Sequence, residues 1–163
     1  MARLAAGSLD GTGTPGPSRP GVPHASRETA TFAFTEARIG VAPAMISLTT
    51  QDLLAPRAAA RYYLTGATFG AQEAARVGFI TIATSNENLD VELGQLLGEI
   101  RETSPQGAAE TKRLLTRGRR QRLAGESAAM AELSARLFAS AEAQEGIHAF
   151  LEKRPPAWRV PAE

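Results

Sequence analysis

The alternation of Ala30-Thr-Phe-Ala-Phe34 puts Phe32 and Phe34 on one side of an extended segment and predicts a short strand. Gly40 and Pro43 punctuate a turn behind it. Residues 44–54, AMISLTTQDLL, predict an apolar-rich helix that closes at Pro56. Pro56, at a favourable first helical position, then opens a second helix, PRAAARYYLTG, with Gly66 as its C-cap. GAQEAARVG repeats the pattern and ends at Gly78, and the β-branched run FITIAT, 79–84, predicts a strand. Beyond it the period is helical throughout. Leu89, Leu93, Leu96, Leu97 and Ile100 form one apolar stripe, with Asn88 as candidate N-cap. Ser104-Pro105 opens the next helix, with Leu114 and Leu115 as its anchors, and Met130, Leu133 and Leu137 mark another. Ser140 caps the last helix, which carries Glu142 and Glu145 near its positive end and Ile147, Phe150 and Leu151 as its apolar residues. Pro155-Pro156 stops it.

The pattern divides the chain into three. Residues 1–27 include GSLDGTGTPGPSRPGVP, 7–23, with five Gly, four Pro and almost nothing to bury, so this segment is expected to be disordered. Its GTGT is no phosphate loop, because no Lys follows and Pro15 blocks a helix. Residues 28–85 predict a partial β/α core, and 86–158 a helical region. The fold class is α/β. Two isolated strands do not make an independently stable sheet, so they pair with another chain or the chain is one part of a larger fold.

Composition narrows the chemistry more than it identifies it. At 163 residues, with 43% hydrophobic and 21% charged residues, the chain suits one soluble domain. A net charge of +1 gives no general attraction to nucleic acid or membrane. Without cysteine there is no disulfide framework and no thiolate site, which suits a reducing cytoplasm. No apolar run approaches the ~20 residues of a membrane span. His24 and His148 each stand without a second ligand at i+3 or i+4, so no metal site is expected. The run RGRRQR, 117–122, reads either as a phosphate- or RNA-binding patch or, more simply, as a solvated loop or helix end followed by Glu126 and Glu132.

Glu36 is the residue that needs explaining. It sits in ATFAFTEARIGVAPA, 30–44, a stretch that otherwise reads as buried strand and tight turn. An ionised carboxylate in an apolar wall calls for a partner or a task. An ion pair with Arg38 and a proton-transfer role are both open from the residues alone.

ATFAFTEARIGVAPA, AAARYYLTGATFGAQEAARVGFI, SPQGAAETKRLL and AFLEKRPPAW, in that order, resemble successive segments of the enoyl-CoA hydratase/isomerase (crotonase) family. The second carries the family's L-T-G…A-x-E-A…G pattern at Leu64, Thr65, Gly66, Ala71, Glu73, Ala74 and Gly78. The resemblance runs from about residue 28 to 158 and is to the C-terminal half of that family. It implies part of a crotonase-like ββα spiral with a helical oligomerisation region, a trimer or dimer of trimers. It also implies an acyl-CoA thioester substrate, with no cofactor beyond the CoA of the substrate and neither nucleic acid nor membrane as partner.

By the same resemblance Glu36 is one of two catalytic carboxylates and exchanges a proton with the carbon alpha to the thioester carbonyl. Gly40 fits the turn that brings backbone close to the site, and Ala44 falls where hydratases often have glycine. Phe150 and Lys153 resemble the pair that meets the CoA moiety; from the residues alone they read as a core aromatic and a helix-end cation. The family's companion glutamate and first oxyanion donor would precede Ala30. There this chain has an Arg-, Pro-, Gly-, Ser- and Ala-biased stretch, which reads as a truncation or an out-of-frame region. The resemblance implies hydration of a 2-enoyl-CoA, or its isomerisation, in acyl-CoA catabolism, by a fragment of little activity. The alternative is a non-catalytic helical interaction module.

Overall fold

The computed structural model describes residues 25–160. The Gly/Pro-rich stretch and His24 lie outside them, whereas residues 25–27, at the end of the 1–27 segment expected to be disordered, form a strand because Ile82–Thr84 supplies a partner. Two short strand pairs and six α-helices make up the described residues. Strand β1, Ala25–Arg27, runs parallel to β4, Ile82–Thr84, with Ala25 opposite Ile82. Strand β2, Thr31–Phe32, runs antiparallel to β3, Phe69–Gly70, with Phe32 opposite Phe69.

Both expected strands exist, but each is shorter than its pattern. Each also finds its partner within the chain, in segments whose own pattern shows no strand. Phe34, Phe79 and Ile80 lie outside the ladders and are buried in the core. That core is largely aromatic. Phe32, Phe34, Tyr62, Phe69 and Phe79 interlock, with Tyr62 stacked on Phe69 at 4.0 Å and Phe79 edge-on to Phe32 at 5.2 Å. The buried Tyr62 phenol donates to Glu73 at 2.8 Å, and Arg76 closes on the same carboxylate through two hydrogen bonds. These two donors hold the Glu73 carboxyl down at about 2, the arginine contributing most.

Helix α1, Ala44–Thr50, continues as a 3-10 turn over Gln51–Leu53, matching the expected 44–54 segment. Helix α2, Pro56–Thr65, has Pro56 in its first turn and the left-handed Gly66 at its end, as the pattern required. Helix α3 spans Ala71–Arg76 and α4 Leu89–Arg101. The stripe on α4 is present as a pattern but is not buried: Leu93, Leu97 and Ile100 are each 42% exposed.

Helix α5, Pro105–Phe138, joins into 34 residues what reads as two helices in the sequence. Ser104 caps it by accepting from the Gly107 amide, and no proline interrupts it. The arginine run 117–122 therefore lies inside a helix, not in a loop or at a helix end. Arg119 is buried, Arg122 pairs with Asp52, and Arg117 and Arg120 are exposed. Leu114 and Leu115 do not anchor the helix; both face solvent, while Thr116 and Arg119 take the buried side.

Helix α6, Ala141–Leu151, is capped by Ser140, which accepts from the Ala143 amide. It lies across a 3-10 turn at Glu36–Ile39. The approach is close enough that a Cβ at Gly146 would stand 2.6 Å from the Ile39 carbonyl carbon and oxygen. Gly146→Ala should therefore push α6 off the turn and destabilise the protein by ~1–3 kcal/mol, as overpacking typically does. Gly118→Ala, in open space on α5, should stabilise it by ~0.5–1 kcal/mol. Urea denaturation of the two variants beside the parent checks both signs.

Candidate functional site

Glu36 is the first residue of the 3-10 turn. The extended segment ahead of it delivers Phe32 and Phe34 to the core, and the chain bends at Thr35. Gly40 ends the turn in a left-handed conformation, φ 76°, with room for no Cβ against the backbone of Glu142 and Ala143. The turn is thus held between the aromatic core and the start of α6.

One carboxylate oxygen of Glu36, Oε2, is buried and has no hydrogen-bond partner among the described residues. Arg38 is not that partner, for its Nε donates to the Thr65 carbonyl at 2.9 Å. The ion pair left open by the sequence is not made. Burial raises the Tyr63 phenol most, and the nearby Glu36 charge adds to the rise. Tyr63 does not satisfy Glu36 either. The Thr50 hydroxyl gives its own hydrogen to the Ile46 carbonyl at 2.7 Å, so the Tyr63 hydroxyl donates to Thr50, 2.6 Å away.

Beside Glu36 lies a cavity of about 330 Å³, within the ~300–1,000 Å³ of small-molecule sites. Ile39, Ala42, Pro43, Ala44, Met45 and Ile46 line it from the segment that follows Glu36, and Ser134 and Phe138 line it from α5. Ala44, the first residue of α1, is 5% exposed and forms part of this lining. Phe32 and Phe34, which sequence reasoning would set around Glu36 with Ile39, belong to the aromatic core instead; only Ile39 of the three reaches the cavity. Ser134 and Phe138 escaped that reasoning altogether. Their spacing shows only that they share a face of a helix, and nothing local tells which segment that face meets.

Phe150 and Lys153 stand apart from this cavity, at the far end of α6. Phe150 is 74% exposed, so it is not a core residue. Lys153 is exposed and left-handed, φ 56°. Its amide donates to the Phe150 carbonyl and the Arg154 amide to the Ala149 carbonyl, a Schellman closure of the helix. Arg154 then grips Glu145 through two hydrogen bonds, and Glu145 also accepts from the Ala157 amide at 2.9 Å. The guanidinium first, and the amide second, hold the Glu145 carboxyl down at about 2. No group of three His, Cys, Asp or Glu side chains among the described residues is placed to hold a metal ion, and His148 is exposed on α6. No helix among the described residues is long and apolar enough to cross a membrane.

The chain has counterparts of known class. The family model described as enoyl-CoA hydratase/isomerase matches residues 25–161. The chain belongs to that family. A mevalonyl-coenzyme A hydratase of Aspergillus fumigatus is 30% identical over 135 residues, which cover 81% of this chain and 50% of the relative. The crystal structure of an enoyl-CoA hydratase from Mycobacterium avium is 52% identical, with a TM-score of 0.74, over 79% of this chain and 51% of that one. A carnitinyl-CoA dehydratase from Mycobacterium avium 104 is 26% identical, with a TM-score of 0.69, over 84% of this chain and 55% of that one. The described fold is therefore crotonase-like, as the resemblance implied. The chain spans about half the length of these relatives.

Two measurements probe the helix end independently of any ligand. Lys153→Gly relieves the left-handed strain at the cost of some backbone entropy, and should raise stability by ~0.5–1 kcal/mol. Glu145 has its folded pKa depressed, so its contribution is fully present above its ordinary value near 4.5 and is lost as pH falls towards about 2. Glu145→Gln should accordingly lower the urea midpoint at pH 6, with the gap to the parent closing as pH is lowered through that window.

Proposed function

We propose that this chain carries one proton-transferring carboxylate, Glu36, of an acyl-CoA site that hydrates a 2-enoyl thioester. The observation behind it is the buried Oε2 of Glu36, unpaired beside a mostly apolar cavity. Addition of water across a conjugated thioester needs an acid for the alpha carbon, a base for the water and donors for the developing enolate oxygen. Glu36 supplies the first at a site where an apolar acyl chain is accommodated by Ile39, Met45, Ile46 and Phe138. Gly40 sets the turn and Ala44 forms wall. Phe150 and Lys153, away from the cavity, are assigned to the CoA end of the substrate, reached from a neighbouring subunit. Isomerisation of the double bond uses the same carboxylate chemistry and is the sister reaction.

The base and the oxyanion donors are assigned to polypeptide beyond this chain's matched half. The 163-residue chain alone should then hydrate crotonyl-CoA at least ~10²-fold more slowly than a full-length relative, since one oxyanion donor is typically worth ~10²–10³ in rate. Co-expression with the N-terminal half of the Mycobacterium avium enoyl-CoA hydratase should restore turnover. In that complex Glu36→Gln should remove most of the rate while sparing binding of the CoA ester. Full activity of Glu36→Gln would return Glu36 to a structural role.

A second reading, a helical interaction module, draws on other residues. Val91, Leu93, Leu97 and Ile100 of α4, with Leu114 and Leu115 of α5, leave apolar surface exposed. Assembly into trimers through these helices fits both readings. Sedimentation velocity checks it: the parent should form oligomers, and Leu93→Glu with Leu97→Glu should shift it to monomer.

A further inference from the structure

Serine and threonine inside a helix commonly return the hydroxyl hydrogen to the carbonyl one turn back. Helix α5 does this twice. Thr116 donates to the Lys112 carbonyl at 2.7 Å, and Ser127 donates to the Leu123 carbonyl. Ser134 is different. It makes no hydrogen bond among the described residues, it is half-buried, and it lines the Glu36 cavity. The remaining lining near it is apolar: Phe138 one turn further along α5, and Met45 and Ile46 on α1. The other polar members of the lining, Thr35 and Glu36, are adjacent in the chain and belong to a separate wall. A hydroxyl with no protein partner on the wall of a cavity is a donor and acceptor that an occupant can engage once it displaces water.

Resting on the reading that this cavity takes the acyl group, we propose that Ser134 is a specificity residue: it hydrogen-bonds a polar substituent towards the far end of the acyl chain. The preferred substrates are then short acyl thioesters with a hydroxyl beyond the carbons served by Glu36, ahead of plain alkyl ones. Two features carry this. Glu36 and Ser134 line one cavity from different walls, so an acyl group that fills it can touch both. The space of about 330 Å³ suits a short chain. A plain chain seated there leaves the Ser134 hydroxyl unpaired, which is where the discrimination arises. One neutral hydrogen bond makes it about five- to tenfold.

Isothermal titration of the full 163-residue chain with 4-hydroxybutyryl-CoA, butyryl-CoA and CoA tests the proposal. Alanine is the strongest helix former, so Ser134→Ala keeps α5 intact, and circular dichroism verifies this. The parent should bind 4-hydroxybutyryl-CoA about five- to tenfold more tightly than butyryl-CoA. Ser134→Ala should erase that preference by tightening butyryl-CoA towards 4-hydroxybutyryl-CoA, because its plain chain then strands no hydroxyl. A preference that survives in Ser134→Ala overturns the proposal, because the hydroxyl is then read elsewhere. Equal binding of the two esters, both tighter than CoA, overturns the role of Ser134 alone and leaves the acyl cavity standing. If neither ester binds more tightly than CoA, the acyl cavity itself falls and this inference with it.

Discussion

The seating of α6 on the 3-10 turn is the constraint on which the site depends. Backbone meets backbone there, with no side chain between: Gly146 lies against Ile39, and Gly40 against Glu142 and Ala143. Interiors pack at the density of organic crystals, so a turn held this closely has little freedom to drift. Glu36 begins that turn, and its buried oxygen keeps its position because the backbone carrying it is clamped. The alternative satisfiers of the carboxylate are each committed elsewhere: Arg38 to the Thr65 carbonyl and Tyr63 to Thr50. The Glu36 Oε2 is thereby left without a hydrogen-bond partner among the described residues.

The aromatic cluster supports the other side of the same turn. Phe32 and Phe34 enter it from the extended segment, Tyr62 from α2, Phe69 from β3 and Phe79 from beyond α3. Strand pairing of two or three residues contributes little by itself. Burial of large rings does the work instead, and the tyrosine hydroxyls carried with them are paired, Tyr62 with Glu73 and Tyr63 with Thr50. Among the described residues, Glu36 Oε2 is the buried carboxylate oxygen without a hydrogen-bond partner.

Helix α5 has a divided role. Its middle packs along α1, with Thr116 and Arg119 buried and Arg122 paired with Asp52, and its C-terminal turns wall the cavity through Ser134 and Phe138. Of the arginine run, packing takes Arg119 and the ion pair with Asp52 takes Arg122, while Arg117 and Arg120 remain exposed. Much of the remaining apolar surface of α4 and α5 faces solvent in the isolated chain, in keeping with relatives about twice its length.

Local chemistry alone determined the helix ends at Gly66, Ser104 and Ser140, the turn at Gly40 and the oddity of Glu36, because caps, left-handed glycines and short-range periodicity are properties of adjacent residues. It determined the family resemblance too, through motifs a few residues long. It did not separate the helical tail into its true lengths, since a run with no proline between Pro105 and Ser140 carries no stop signal, and Gly118 and Gly125 are tolerated within α5. Nor did it tell that the expected strands pair with 25–27 and 69–70, which are too short to show a pattern. The partnering of Arg38 with Thr65, the emptiness around Glu36 Oε2 and the arrival of Ser134 and Phe138 at the cavity were decided only by tertiary structure. Each joins residues tens of positions apart, and which surface a helix presents to which neighbour is set by packing the whole chain, not by any stretch of it.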